Sequence, residues 1–375
     1  MNQKPLSEQV IVITGASSGI GRATAEQAAA QGAHVVLAAR SEDALKEITD
    51  SIRAKGGSAS FVVADVSKEE DVRRIAEEAK RQYGSFDTWV NNAGVSIYGR
   101  LEEVEPADHK QLFETNFWGT VNGSLVAVEH LRTYGGTLIN VGSTLSERAI
   151  PLQGMYCASK HAVKGFTDAL RMELEYDDAP VQVTLIKPAA VDTNYPKHAK
   201  NYLDKEATLP EPIYHPNLVA EAILYCATHE QRDMFVGGAG GKGLASLGNR
   251  APRLTDKYME ATMFDQQKGN MPAHIDENGL YTATGGGSVR GYNRPGVRTT
   301  SLYTQAQTRP AVTATVATAL IGVGAGLLAW RLISDQSSNR DGASWYGDPA
   351  LPPARGKVQS GHTTQAGTKL NETSR

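Results

Sequence analysis

The sequence predicts an α/β fold: a doubly wound parallel sheet of about seven strands with helices on both faces, followed by a C-terminal transmembrane helix and a disordered tail. Three observations predict it. Seven short β-branched runs alternate with longer helical segments between residues 8 and 236, the pattern of βαβ units in a parallel sheet. The runs are almost continuously apolar, as strands covered on both faces are. A glycine-rich loop joins the first run directly to the first helix.

The strand runs, in order, are VIVIT (10–14), HVVLAA (34–39), SFVVAD (60–65), FDTWVNN (86–92), GTLINVGS (136–143), VQVTLIKP (181–188) and MFVGG (234–238). Between most of them lie segments rich in Ala, Glu, Lys and Arg with helical spacing. After residue 236 the texture changes. Residues 237–296 hold 13 glycines in 60 positions, so the stretch reads as loop or linker with one candidate helix at 254–267. The expected organisation is therefore a nucleotide-binding domain over 1–240, a Gly-rich extension over 241–310, a membrane helix over 311–333 and a disordered tail over 334–375.

Composition narrows the function. The formal net charge of −3 over 375 residues lacks the basic excess of a nucleic-acid binder. Two cysteines, Cys157 and Cys226, and no secretory signal exclude a disulfide scaffold and point to a reducing, cytosol-like compartment. His161 and Cys157 show no metal-ligand spacing, so no metal is expected.

The first strand runs into Thr14-Gly15-Ala16-Ser17-Ser18-Gly19-Ile20-Gly21. Glycines let the backbone turn tightly and approach a pyrophosphate, and the helix N-terminus offers N–H donors and a partial positive charge. The spacing is GxxxGxG, a variant of the usual dinucleotide fingerprint, and a Rossmann-type fold follows from its strand–loop–helix setting. At the end of the second strand stand Ala38-Ala39-Arg40-Ser41. A carboxylate there would accept from the ribose of NAD, whereas an Arg would neutralise a 2′-phosphate. The missing carboxylate, with Arg40, Ser41 and the nearby Arg22, favours NADP(H).

Tyr156 and Lys160 are four apart in a segment with helical character, which puts both side chains on one face. A phenol ionises near pH 10, and a neighbouring ammonium stabilises the phenolate, so the pair suits general acid/base work. Such a pair also arises by chance on helices. Its context is Ser143 at the end of the fifth strand, Asn91-Asn92-Ala93-Gly94 after the fourth, and Asn116 in the next helix.

Together these motifs resemble the short-chain dehydrogenase/reductase family over roughly residues 6 to 240. The resemblance is carried by TGASSGIG (14–21), Asp65-Val66, NNAG (91–94), Asn116, Ser143, YCASK (156–160) and KPAAVDT (187–193). It implies a catalytic set of Asn116, Ser143, Tyr156 and Lys160. Tyr156 would exchange a proton with the substrate oxygen, and Ser143 would hold that oxygen. Lys160 would lower the Tyr156 pKa and bind the nicotinamide ribose. Asn116 would anchor a water leading from Lys160 to solvent. The implied NADP(H) contacts are Gly15, Ser17, Ser18, Gly19, Ile20, Gly21, Arg40, Ser41, Asp65, Val66, Asn92, Ala93, Gly94, Tyr156, Lys160, Pro188, Val191 and Thr193. Asp65 would meet the adenine and Thr193 the carboxamide. A homo-oligomer is expected. One departure stands out: the family usually has Pro-Gly after the sixth strand, whereas this chain has Pro188-Ala189, and the added methyl is expected to alter the loop beside the nicotinamide.

The resemblance makes residues 193–216 a substrate lid. Its Tyr195, Tyr202 and Tyr214 either line an apolar pocket or are exposed loop tyrosines, the commoner situation. Trp118 reads as a packing residue. The expected activity is NADP(H)-dependent interconversion of a carbonyl and a secondary alcohol. The competing class is a nucleotide-binding sensor or scaffold, which would be expected to lack part of the Asn–Ser–Tyr–Lys set. An epimerase or dehydratase of the related extended group would show GxxGxxG in the first loop.

Residues 311–330 carry no charge, about the 20 residues a helix needs to cross a bilayer core. Trp330 would sit at the interface. Gly322 and Gly326 form a GxxxG pair that permits helix pairing, although a Gly-rich run produces such pairs by chance. Arg290, Arg294, Arg298 and Arg309 precede the run, while Arg340 follows it among Asp335, Asp341 and Asp348, so the N-terminal side is expected in the cytoplasm. A membrane-associated enzyme of this kind would act on a lipophilic substrate.

Overall fold

The computed structural model describes residues 3–238, 240–273, 278–285, 287–291, 296–309, 313 and 327–328. They form β1 (Val10–Thr14), α1 (Gly19–Ala30), β2 (His34–Ala39), α2 (Glu42–Ala54), β3 (Ser58–Val63), α3 (Glu69–Tyr83), β4 (Thr88–Asn91) and β5 (Ile97–Tyr98). Next come α4 (Pro106–Phe113), α5 (Gly119–Tyr134), β6 (Gly136–Val141), α6 (Gly154–Tyr176), β7 (Val181–Pro188), α7 (Tyr195–His198), β8 (Lys200–Asn201) and β9 (Lys205–Ala207). The last are α8 (Pro216–Thr228), β10 (Asp233–Val236), α9 (Gly240–Arg250), α10 (Pro252–Gln266), β11 (Lys268–Pro272) and α11 (Leu302–Thr308).

Seven strands pair in parallel in the order β3-β2-β1-β4-β6-β7-β10. This is the Rossmann-like sheet the runs predict. Side chains alternate across it, as the period of two requires. Ile11, Ile13, Val35 and Leu37 enter one core, packed with residues of α1, α2 and α8. Val10, Val12 and Val36 enter the other, packed with residues of α3, α5 and α6. Both faces of β1 are therefore buried, which explains its unbroken apolar run. The flanking helices are locally well specified. In α3 the first turn carries Glu69, Glu70 and Asp71, the last turn Lys80 and Arg81, and left-handed Gly84 ends it, matching the helix dipole and the usual C-terminal stop.

A five-residue π-helical turn, Glu114–Trp118, joins α4 to α5. Such bulges are common at functional sites, and this one carries Asn116.

Helix α10 stands where the candidate helix at 254–267 is expected; the rest of the extension differs from the expected linker. Its described residues form α9, α10, β11 and α11, and residues 1–313 are one compact unit. Met259 and Met263 pack with Ile150 and Cys157. Strand β11 pairs antiparallel with β9. Helix α11 covers the end of β10, where Gln307 Nε2 donates to the Phe235 carbonyl at 2.9 Å and the Gly237 N–H donates to Thr304 Oγ1 at 3.0 Å. Glycine's poor helix propensity hid α9 in the sequence; in the fold its Ala245 and Gly248 are buried and Leu244 packs against the cluster of Ile150, Cys157, Met259 and Met263. The expected membrane helix and tail lie almost wholly outside the described residues. Among the described residues no helix is long and apolar enough to cross a membrane.

Candidate active site

The strand order reverses between β1 and β4, and a doubly wound sheet opens a crevice at the carboxyl ends of such strands. Here the glycine loop turns back over β1. Gly15 and Gly19 adopt φ of +64° and +55°, which L side chains disfavour. A Cβ at Gly21 would lie 2.2 Å from the Gly15 carbonyl oxygen, and one at Gly15 would lie 2.7 Å from Ala93 Cα. Asn92 ties the loop to the end of β4. Its Nδ2 donates to the carbonyls of Thr14 and Gly15 at 3.0 and 3.2 Å, while its N–H donates to Thr14 Oγ1 at 3.0 Å.

A cleft of about 210 Å³ runs along this edge. All the residues expected at the dinucleotide line it except Gly21, Tyr156, Lys160, Pro188 and Val191. The last four line an adjoining cavity instead, and Gly21 is buried within α1. The cleft, with glycine backbone at the start of α1 and room that side chains would fill, fits a dinucleotide. Arg40 lines it and donates to the carbonyls of Gly279 and Leu280. Burial lowers the Arg40 pKa, opposed by the charge of Asp65. Asp65 Oδ1 accepts from the Ser67 N–H and hydroxyl at 3.0 and 2.8 Å. Arg22 donates to Glu26 and Glu47 and to the Gly287 carbonyl.

The adjoining cavity measures about 420 Å³. Ile20, Asn92, Gly94, Thr193 and Tyr195 line both spaces, so the two communicate across the expected nicotinamide position. Ser143, Tyr156 and Lys160 stand together in the cavity wall. Helix α6 presents Tyr156 and Lys160 on one face, with Lys160 Nζ 5.7 Å from the centre of the Tyr156 ring. Lys160 Nζ donates to the Val141 carbonyl at 2.8 Å. Ser143 Oγ caps a short turn by accepting from the Leu145 N–H at 3.0 Å. In the π turn, Asn116 clamps Val95: Oδ1 accepts from its N–H at 2.8 Å and Nδ2 donates to its carbonyl at 3.0 Å. The remaining N–H faces Ser159 Oγ at 3.2 Å. A Cβ at Gly94 would lie 3.4 Å from Asn116 Oδ1 and 3.9 Å from Lys160 Nζ, so these groups meet at the edge of the cleft.

Burial dominates the electrostatics. It pushes the Tyr156 phenol up to about 12, against hydrogen bonding with Ser143 and Tyr195, and it lowers Lys160 to about 8. The expectation that Lys160 brings the phenol below its ordinary value is not met in this geometry. Desolvation of the phenol prevails, and the ammonium is directed to Val141.

Sequence reasoning missed Gln153 and Gln267 and took Tyr195 more readily for an exposed loop residue than for a pocket residue. Tyr195 is no exposed loop tyrosine: its ring packs edge-on against Tyr156 at 5.4 Å, and its hydroxyl meets Ser96 Oγ at 2.7 Å and Gln153 Oε1 at 2.8 Å. Gln153 Nε2 donates to Gln267 Oε1 at 2.7 Å, and Gln267 Nε2 donates to the carbonyls of Pro151 and Met263 at 2.9 and 2.8 Å. Those carbonyls only accept, so both carboxamides are oriented and the Tyr195 hydroxyl donates to Gln153. Nothing local marks Gln153 or Gln267 as partners, since 114 positions separate them. Tyr214 is buried, and the Tyr202 hydroxyl donates to Asp108 Oδ2 at 2.6 Å. Trp118 is 48 % exposed, so it is not the packing residue expected.

Leu209, Pro210 and Pro212 from the lid, with Leu244, Tyr258, Met259 and Met263 from α9 and α10, complete a largely apolar wall. The methyl of Ala189 is accommodated across the loop. A Cβ at Gly237 would lie 2.9 Å from Ala189 Cβ, so the position facing Ala189 lacks the side chain that would clash.

The family model for short chain dehydrogenases matches residues 9–203. "Uncharacterized oxidoreductase YxnA" of Bacillus subtilis (strain 168) is 50% identical over 331 residues, covering 87% of this chain and 91% of that protein. "11-beta-hydroxysteroid dehydrogenase A" of Sesamum indicum is 38% identical over 187 residues, 49% of this chain and 53% of that one. Among solved structures, a short-chain dehydrogenase/reductase from Burkholderia phymatum in complex with NAD superposes with a TM-score of 0.60 at 25% identity, covering 72% of this chain and all of that one. An alcohol dehydrogenase from Thermococcus sibiricus complexed with 5-hydroxy-NADP gives 0.54 at 28% identity, covering 60% of this chain and 95% of that one. The fold and the site define a nucleotide-dependent oxidoreductase. The chain belongs to the short-chain dehydrogenase/reductase family, whose solved relatives bind NAD or NADP.

Proposed function

We propose that the protein is an NADP(H)-dependent oxidoreductase that interconverts a carbonyl and a secondary alcohol on a substrate with a bulky apolar body. The observation that carries this reading is the meeting of Ser143, Tyr156 and Lys160 in an apolar cavity that opens onto the glycine-loop cleft. A bound nicotinamide supplies or accepts the hydride and, when oxidised, adds a positive charge beside the phenol. In reduction the Tyr156 hydroxyl gives its proton to the carbonyl oxygen. In oxidation the phenolate takes the proton of the alcohol. Ser143 holds the substrate oxygen within reach of that hydroxyl. Lys160, anchored on Val141, orients the nicotinamide ribose and, together with the charge of an oxidised nicotinamide, offsets part of the burial that raises the phenol. Asn116 holds the Val95 backbone in place beneath Gly94, a positioning role.

NADP(H) is favoured over NAD(H) because Arg40 faces the cleft and the end of β2 carries no carboxylate. The apolar wall favours a lipophilic substrate, in keeping with the relatives named as hydroxysteroid dehydrogenases. Exposed Trp118, Leu125 and Met172 on and beside α5 and α6 support self-association. The uncharged run beginning at Ala311 supports a membrane tether with the catalytic unit on the cytoplasmic side. Full-length protein that resists carbonate washing of membranes is the expected result; complete release would remove the tether. The activity itself is tested by screening ketones and alcohols of graded size with NADPH and NADP⁺. Absence of turnover with every carbonyl class, despite dinucleotide binding, would favour a nucleotide-binding scaffold instead.

A further inference from the structure

Described residues 278–285 and 287–291 cross the mouth of the glycine-loop cleft and are bonded to both of its banks. On the first bank the Gly19 N–H donates to the Ser288 carbonyl at 3.1 Å, and the Arg22 guanidinium donates to the Gly287 carbonyl. Between the banks Arg40 donates to the carbonyls of Gly279 and Leu280. On the second bank the Gly279 N–H donates to the His198 carbonyl at 2.7 Å. There too, Arg290 Nε donates to Asp192 Oδ2 at 2.8 Å and Lys197 Nζ to the Gly291 carbonyl at 2.8 Å. The Tyr281 hydroxyl donates to Asp108 Oδ1 at 2.7 Å. The strap does not fill the cleft: Gly279, Ala283 and Thr284 form part of its lining.

The glycines that read as linker serve close approach. A Cβ at Gly291 would lie 2.1 Å from the Thr193 carbonyl oxygen, and one at Gly287 would lie 2.8 Å from Arg22 Nη1.

We propose that this strap is part of the dinucleotide site, closing over its Arg40 end and gating exchange of the dinucleotide. The proposal rests on the reading of the cleft as the NAD(P)(H) site. Because the strap is bonded on both banks, a ligand as long as a dinucleotide enters or leaves only when one bank lets go. The first bank is the one that opens. There the strap uses a backbone N–H at the start of α1, a donor that an incoming phosphate also seeks, and one N–H cannot serve both acceptors fully. The Arg290–Asp192 pair and the Lys197 and Tyr281 bonds hold the second bank, and losing any one of them gives the strap a second end that can release.

The test is stopped-flow fluorescence of NADPH binding to full-length protein and its Arg290→Ala, Lys197→Met and Tyr281→Phe variants. Loosening the strap is expected to raise both the association and the dissociation rate constant, by about tenfold for Arg290→Ala, where a charge-assisted bond is lost. Lys197 is on the surface and Tyr281→Phe removes only a hydroxyl, so at least these two variants keep the fold, which a thermal melt checks. Unchanged rate constants in all three folded variants overturn the proposal. A rise confined to dissociation overturns it too, because it marks a simple contact with bound ligand. Failure of the unmodified protein to bind either NADPH or NADH instead overturns the reading of the cleft itself, and the strap's role with it.

Discussion

Lys160 Nζ donates to the Val141 carbonyl at 2.8 Å, which fixes the ammonium at the end of β6, two residues before Ser143. Burial there lowers its pKa to about 8. A lysine whose pKa is depressed is charged below that value and neutral above it. The proposed role needs the charge, so kcat/KM for the dinucleotide, which reports the free enzyme, is expected to fall as pH rises through about 8. The guanidinium in Lys160→Arg stays charged, so whatever activity that variant retains should lack this limb. A wild-type profile that stays level from about pH 6 to 10 would contradict the assignment.

Tyr156→Phe removes the proposed proton donor while keeping the ring that packs against Tyr195. Carbonyl reduction should drop by about 10²–10⁴-fold, the usual worth of a general acid. NADPH binding, followed by fluorescence titration, should be little changed. Full turnover by this variant on any accepted substrate would refute the catalytic role.

Arg40 lies in the cleft with donors directed at strap carbonyls. Arg40→Ala should weaken NADPH by about tenfold to a hundredfold, the range for one charged hydrogen-bonding group, and leave NADH nearly unaffected. Equal losses for the two dinucleotides would mean that Arg40 holds the strap and does not read a 2′-phosphate.

Ala189 and Gly237 face each other across the loop after β7. Gly237 has φ of +113°, and a Cβ there would lie 2.9 Å from Ala189 Cβ. Gly237→Ala should therefore cost about 1–3 kcal/mol in chemical denaturation, through backbone strain and overpacking. In an Ala189→Gly background the loss should shrink without vanishing, because the backbone strain remains. An additive double-mutant cycle would show that the two positions do not interact.

Met259 on α10 lines the cavity that holds Tyr156. Met259→Trp fills part of that cavity on the α10 side. It should raise KM for large apolar ketones by about tenfold, the scale of one to two buried methylenes, while small ketones keep their kcat/KM. Equal effects on both would place the substrate body elsewhere.

Much of this was legible in the sequence. The β1 run VIVIT and its neighbours gave away a sheet buried on both faces because parallel strands need no polar alternation. The motif residues in the loops after β1 to β4, and Ser143 after β6, line the cleft or the adjoining cavity because they sit at strand ends, where position follows from topology; Tyr156 and Lys160 reach the cavity from α6, and Gly21 and Asn116 line neither space. What stayed hidden depends on distant packing. Gln267 has meaning only beside Gln153, and Tyr195 only beside Tyr156. Helix α9 was masked by glycines whose cost is met by burial, a tertiary effect that no local window contains. The direction of the Tyr156 shift was misjudged for a related reason: the Tyr–Lys spacing is visible in sequence, whereas the depth of desolvation is not.

The Gln153–Gln267 bond carries a practical consequence for recombination. Residue 267 lies well beyond the segment matched by the family model, yet it sets the polarity of a hydrogen-bond chain ending at Tyr195, whose ring packs against Tyr156, and Met259 and Met263 on the preceding helix line the pocket. A chimera that grafts a relative's C-terminal third onto this Rossmann core would thus exchange the apolar cavity wall and the partner of Gln153 as one inherited block. A graft that broke the glutamine pair would strand buried amide groups, at about 1–3 kcal/mol for each one left unsatisfied.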